Sequence, residues 1–159
     1  MFKTKPENKP ELTLDPENWE EFRKFAHNAL DEALSYVSGV RERPPWKPVS
    51  EGAKKKLSEP LPVNPTPVEA VFDEFKENIF PYPLGNIHPR HWGWVNGSGT
   101  AEGIVAEMLA ATMNSNITSH DQSPIWVEKQ VLDWFRDLFD FPESSGGLLV
   151  SGGTMANLT

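Results

Sequence analysis

The sequence contains no cysteine. Its 159 residues therefore build no disulfide framework, hold no metal through thiolate and offer no Cys nucleophile, which fits a reducing compartment. Cations are also scarce, with 15 Lys+Arg against 23 Asp+Glu and a net charge of −8. No global field draws a polyanion, so neither nucleic acid nor an anionic membrane surface is expected as a partner. No stretch reaches the roughly 18 apolar residues of a membrane span. The first residues, Met1-Phe2-Lys3-Thr4-Lys5-Pro6, lead into polar sequence rather than the apolar core of about 7–15 residues that marks a signal peptide. These absences predict a soluble, cytoplasmic protein, and the length allows about one domain.

Proline, by contrast, is abundant. Ten of the 15 Pro lie between Pro44 and Pro89, and that clustering marks a connector. Six Trp and nine Phe are many for this length, and such rings carry large buried areas, so either this chain or a partner covers them. Residues 1–14 read as a flexible lead. Asp15-Pro16-Glu17 then has the form of a helix start, with Asp as cap and Pro at the first helical position. The set Trp19, Phe22, Phe25, Ala29, Leu30, Ala33, Leu34 and Val37 keeps the three-and-four spacing of one helix face, and Gly39 with Pro44-Pro45 ends it. Residues 41–67 form a Pro-rich traverse with one short helix near 50–58; traverses of this length are usually functional or lie on a partner.

Thr66 and Glu69 stand in capping-box register for a helix whose stripe is Val68, Val71, Phe72, Phe75 and Ile79. Residues 82–99 show neither helical nor strand periodicity and read as an irregular loop, the first place to look for ligand contacts. Helices are expected over about 100–114 and from Ser123-Pro124 onward. Leu148-Leu149-Val150 reads as a short strand turning through Ser151-Gly152-Gly153-Thr154 into a helix that begins at Met155. The expected organisation is thus a lead over 1–14, an N-terminal helical segment with its connector over 15–87, and from 88 to 159 the start of a larger α/β domain. One three-residue strand makes no sheet, and a helix of one turn is below its nucleation length, so the sequence reads as the front part of a larger protein.

The strongest chemical signal is the run from Leu148 to Asn157. A strand, a glycine turn and a helix start place free backbone N–H groups at the positive end of a helix, with Thr154 offering a hydroxyl, which makes a phosphate seat. A plain helix cap with glycines for turn geometry has the same spacing, and the residues alone leave the two at even odds. It is not a Walker loop, since no Gly-Lys-Thr follows. The second signal is His88-Pro89-Arg90-His91-Trp92-Gly93-Trp94, two imidazoles, a guanidinium and two large rings suited to a carboxylate or planar ligand. Packing is the competing reading for each ring. A metal site from His88, His91, His120 and Asp121 lacks helical His spacing, and no metal is expected. The polar loop 114–123 is most simply a solvated connector, and Lys54-Lys55-Lys56 a solvated helix face.

Taken together, these residues resemble the pyridoxal-phosphate-dependent group II amino acid decarboxylases, the family of aromatic-L-amino-acid, tyrosine and glutamate decarboxylases. The resemblance runs from about Leu14 to Thr159. It rests on the helices, the His-Pro-x-x-x-Gly-Trp-like segment at 88–97, and Glu128 with Asp133-Trp134-Phe135 and Phe141-Pro142. The run Leu149-Val150-Ser151-Gly152-Gly153-Thr154-Met155-Ala156-Asn157 completes it. The resemblance implies a fold type I, mixed α/β enzyme that binds pyridoxal 5'-phosphate, acts on an amino acid and works as a homodimer with active sites at the subunit interface. It places the cofactor phosphate on Gly153 and Thr154, with Ser151 and Gly152 beside them. It puts the substrate wall at Arg90 to Val95, with His91, Trp92, Trp94 and Val95 in it. It makes the loop carrying Asn116 and Thr118 reach toward the neighbouring subunit's site, and has the N-terminal helices clasp that subunit.

The departures are equally informative. The family's Schiff-base Lys, the His that stacks on the pyridine ring and the Asp that pairs with its nitrogen would all lie beyond Thr159, and none of the ten Lys here has the required context. No catalytic residue is therefore expected in this chain, which resembles the entry segment of such an enzyme. Where aromatic-acid decarboxylases carry Tyr-Phe-Pro, this chain has Trp94-Val95-Asn96, so aromatic preference does not carry over. Three readings stand in order: part of an amino acid decarboxylase, inactive alone; part of a related carbon–carbon lyase of the sphingosine-phosphate-lyase kind; and a non-catalytic dimerisation module.

Overall fold

The computed structural model describes residues 13–116, 118 and 120–159. Six α-helices follow one another in these residues: α1 (Trp19–Ser38), α2 (Glu51–Lys56), α3 (Val68–Asn78), α4 (Ala101–Met113), α5 (Ser123–Leu138) and α6 (Gly153–Ala156), with a 3-10 turn at Val40–Glu42. None of them is long and apolar enough to cross a membrane. The chain divides into two compact units at Ala101/Glu102. The expected lead falls almost wholly on residues 1–12, outside the described residues.

In the first unit α1 begins later than the Asp15-Pro16 pair suggests. Asn18 is the cap, its Oδ1 accepting from the Glu20 N–H (3.0 Å) and the Glu21 N–H (3.2 Å), while Asp15 is taken by Thr13, whose hydroxyl donates to its carboxylate at 2.8 Å. Asn caps as well as Asp does, and here it stands directly before the apolar stripe. The capping box of Thr66 and Glu69 does not form either. Pro67 occupies the cap position without a side-chain bond, and its carbonyl accepts the first ladder bond, from Val71 N at 3.2 Å, which leaves Thr66 one residue too early.

An unbroken series of ring contacts joins α1 to α3. Trp19 meets Phe22 (6.1 Å between centroids), Phe22 meets Phe25 (5.9 Å), and Phe25 sets its edge on Phe72 (5.5 Å). From Phe72 the series continues through Phe75 and Phe80 to Tyr36, which stacks on Phe80 at 4.0 Å, and Arg43 lies over the Tyr36 ring at 3.6 Å. Each such pair adds about 0.5–1.5 kcal/mol beyond the area it buries. The inner end of the α1 face is thus covered by this chain, while Trp19 and Phe22 at its outer end stay exposed.

The Pro-rich traverse is anchored at two points. Ser50 caps α2 through the Ala53 N–H (3.1 Å), and Ala53 is 2 % exposed. Lys56 bridges Glu59 (2.7 Å) and Glu74 of α3 (3.6 Å), and the Glu59 hydrogen bond with both carboxylate charges raises its pKa. Further back, Gly85 is buried against the Pro45 carbonyl: a Cβ there would stand 1.6 Å from that oxygen, and its φ of +82° belongs to glycine.

The second unit holds α4 and α5, the latter opening at Ser123-Pro124 as its sequence indicates. Leu148-Leu149-Val150, expected as a strand, forms no strand here, and no strand occurs among the described residues. A strand exists only with a partner to take its ladder bonds; the Leu149 N–H instead donates to the Glu128 carboxylate of α5 at 3.1 Å. The α/β character expected from the sequence is therefore absent from these residues, which are helical. Among them Ala53 is the one buried apolar side chain, whereas Val105, Met108, Leu109 and Met113 of α4 and Val127, Trp134, Phe135 and Leu138 of α5 are exposed.

Candidate functional site

Residues 82–99 form an irregular loop that the chain itself folds into shape. Its first half is a set of tight turns, with His88 N–H donating to the Gly85 carbonyl and His91 N–H to the His88 carbonyl, each at 2.9 Å. The Arg90 N–H donates to His88 Nδ1, also at 2.9 Å. Nδ1 is thus the acceptor that ties His88 to the turn. His88 is 4 % exposed, and Nε2 of both His88 and His91 is buried without a partner among the described residues. Sequence alone offered His88 as a ligand-facing imidazole; the fold turns it inward as a brace under Arg90.

The second half of the loop carries the expected substrate wall. Trp92 and Trp94 are 93 % and 83 % exposed, Val95 is fully exposed and His91 half-buried. Trp94 has φ +50°, a left-handed backbone that costs a residue with a Cβ about 1–2 kcal/mol. Asn86 closes the neck of the loop, its Nδ2 donating to the Gly97 carbonyl at 2.7 Å. Nothing in the sequence pattern marks Asn86, because a contact across eleven positions leaves no periodicity.

The remaining expected site residues lie in the second unit. Asn116 Oδ1 accepts from the Thr118 N–H (3.0 Å) and hydroxyl (2.7 Å), and its carbonyl takes a short hydrogen bond from the Gln122 amide. Ile117 and Ser119 of this loop lie outside the described residues. Asp121 accepts from the Trp126 indole at 2.7 Å, which spends it on the start of α5, and no cluster that could hold a metal occurs among the described residues.

Ser151, Gly152, Gly153 and Thr154 form an exposed turn into α6. The ladder of α6 begins with Ala156 N donating to Gly152 O and Asn157 N to Gly153 O, both at 3.0 Å, so the preceding N–H groups lead the helix without an intrahelical acceptor. Space is open on the side where a Cβ of Gly152 or Gly153 would stand. Backbone donors, the Thr154 hydroxyl and that open side fit a phosphate. A cavity of about 740 Å³ lined by Leu132, Phe135, Arg136, Phe141 and Gly147 includes none of the expected site residues. Its Arg136 is held by Asp133 (2.6 Å) and Asp137 (3.0 Å), so its charge is already answered.

Residues 51–159 match the model of the pyridoxal-dependent decarboxylase conserved domain. The chain belongs to the pyridoxal-dependent decarboxylase family. It is 29 % identical over 143 residues to an aromatic-L-amino-acid decarboxylase of Bacillus atrophaeus, covering 88 % of this chain and 30 % of that protein. With tyrosine/DOPA decarboxylase 2 of Papaver somniferum it shares 31 % over 147 residues, 87 % of this chain and 27 % of the relative. Among solved structures, tryptophan decarboxylase of Catharanthus roseus in complex with L-tryptophan superposes with a TM-score of 0.67 at 26 % identity, over 81 % of this chain and 28 % of that one. An Oryza sativa TDC with PLP gives 0.68 at 22 % identity, over 89 % and 31 %. The chain thus has the fold of part of a pyridoxal-dependent decarboxylase, and spans about three-tenths of the length of the relatives it matches. Pyridoxal phosphate is the cofactor of this decarboxylase family.

Proposed function

We propose that this chain supplies the phosphate seat and one substrate wall of a pyridoxal-phosphate-dependent carboxy-lyase that converts an L-amino acid to its amine. The observation that carries the reading is the 151–154 turn, which sets Thr154 and leading backbone N–H groups beside two open glycines, within the residues that match the family model. When bound, the cofactor supplies an electron-accepting ring for loss of carbon dioxide. The chain's own residues bind and orient: the turn at 151–154 fixes the phosphate end, and His91, Trp92, Trp94 and Val95 form the wall against the amino acid. Asn116 and Thr118 approach the site of a second subunit of a homodimer, in which the exposed Trp19–Phe22 end of α1 is covered. Residues 88–159 then belong to the cofactor-binding domain and 15–87 to an N-terminal helical segment. A cytoplasmic location accords with the lack of cysteine.

The relatives' names, aromatic-L-amino-acid and tyrosine/DOPA decarboxylase, make aromatic amino acids the first substrates to try. The test is to express the protein at the length its own gene encodes, load it with pyridoxal phosphate and follow carbon dioxide and amine from a panel of L-amino acids. Equimolar release of both from at least one amino acid supports the reading. A cofactor-loaded protein that releases neither, or that yields an aldehyde by cleaving a phosphorylated amino alcohol, overturns it.

A further inference from the structure

The wall residues sit in the half of the 82–99 loop that has little else to hold it. The turns through Gly85, His88, Arg90 and His91 fix the first half. Beyond Trp92 the described bonds are Asn96 Nδ2 to the Gly93 carbonyl at 3.4 Å, at the long limit for a hydrogen bond, and Asn86 Nδ2 to the Gly97 carbonyl at 2.7 Å. Gly97 has open space around it and Gly99 a φ of +71°, so the segment after the wall does not stiffen it. Yet Trp94 keeps a left-handed backbone at φ +50°, and a strained residue keeps such a conformation only where its surroundings over-determine it. Asn86 is the group placed to do so, because its bond closes the ten residues 87–96 into a loop of fixed ends.

We infer that Asn86 is a positioning residue: its side-chain amide latches the neck of the wall loop and holds Trp92, Trp94 and Val95 in the arrangement that meets the amino acid's side chain. The inference deepens the proposed function and rests on it. Asn86 touches no reacting atom and acts through the loop. Loss of the latch frees residues 92–96, and Trp94 relaxes toward negative φ, which turns its ring away from its present direction. The cofactor turn at 151–154 lies in the other unit and is not held by this bond.

The test uses Asn86→Ala, which removes the donor, and Asn86→Gln, which restores an amide on a longer arm, in the protein at its gene's own length loaded with pyridoxal phosphate. Chymotryptic cleavage after Trp92 and Trp94 in Asn86→Ala should accelerate about threefold to tenfold, as expected for a loop released by one lost hydrogen bond. The KM for the amino acid turned over best should rise by about the same factor with kcat changed by less than about twofold, and retention of pyridoxal phosphate should equal wild type. Asn86→Gln should recover most of both effects. Unchanged cleavage overturns the latch and leaves the decarboxylase reading intact. Faster cleavage with unchanged KM overturns the positioning role, again leaving that reading intact. A wild-type protein that binds the cofactor but decarboxylates none of the panel removes the reading, and the inference with it.

Discussion

Gly85 shows how closely a single residue can be specified. Its φ of +82° and the Pro45 carbonyl, 1.6 Å from where a Cβ would be, leave room for hydrogen alone. Gly85→Ala should therefore destabilise the protein by about 2 kcal/mol or more, since strain and backbone clash add. Thermal unfolding followed by circular dichroism should show the midpoint falling by at least several degrees, and an unchanged midpoint would mean that Pro45 does not pack there. This contact was not legible in the sequence: a glycine among Pro-rich residues signals a turn, but not which distant carbonyl approaches it. His88 is a similar case. The sequence offered it, with His91, as an imidazole suited to a ligand, whereas its burial and the Arg90 N–H on its Nδ1 make it an internal brace. For Trp92 and Trp94 the residues alone left packing and ligand contact both open, and the exposure of both rings shows that this chain does not pack them into a core.

At the scale of elements, the helices followed from apolar spacing, and their starts were harder to read. Asp15 and Asn18 are both good caps by type, and the selection between them depends on which oxygen faces the first free N–H groups. Asn18→Ala should cost about 0.5–2 kcal/mol by the loss of that cap, while Asp15→Ala should change stability by less than about 0.5 kcal/mol as a surface substitution. Denaturant melts of the two variants settle this, and equal losses would return the helix start to Asp15. The ring series offers a second comparison. Phe80 contacts both Phe75 and Tyr36, whereas Trp19 contacts Phe22 at one exposed end. Phe80→Ala should accordingly lower stability by at least about 1 kcal/mol more than Trp19→Ala, and the reverse order in the same melts would show that the series is not what joins α1 to α3. No strand forms at 148–150 among the described residues, in keeping with the rule that one three-residue strand makes no sheet: the ladder needs a neighbouring strand, and here Glu128 accepts from the Leu149 N–H.

At the scale of the whole molecule, the described residues bury a single apolar side chain, Ala53, and leave large apolar side chains of α1, α3, α4 and α5 exposed. Helix α4, apolar around nearly its whole circumference apart from Glu102 and Glu107, has the composition of a helix that is covered on all sides. Both features accord with a chain that spans three-tenths of its relatives. The proposed homodimer makes this testable by sedimentation: the protein at its gene's own length should run at twice its monomer mass, and Trp19→Glu with Phe22→Glu should shift it toward monomer. A monomeric wild type would contradict the assigned role of the α1 face.

The central claim, that the 151–154 turn seats the cofactor phosphate, is tested most directly by measuring pyridoxal phosphate affinity in wild type, Thr154→Ala and Gly153→Val. Losing a hydrogen bond to a charged group costs about 1.5–3 kcal/mol, so Thr154→Ala should bind about 10- to 150-fold more weakly. Gly153→Val, which fills the open side of the turn, should bind at least as weakly. Wild-type affinity in both variants would contradict the account and leave Ser151, Gly152, Gly153 and Thr154 as no more than the cap of a short helix.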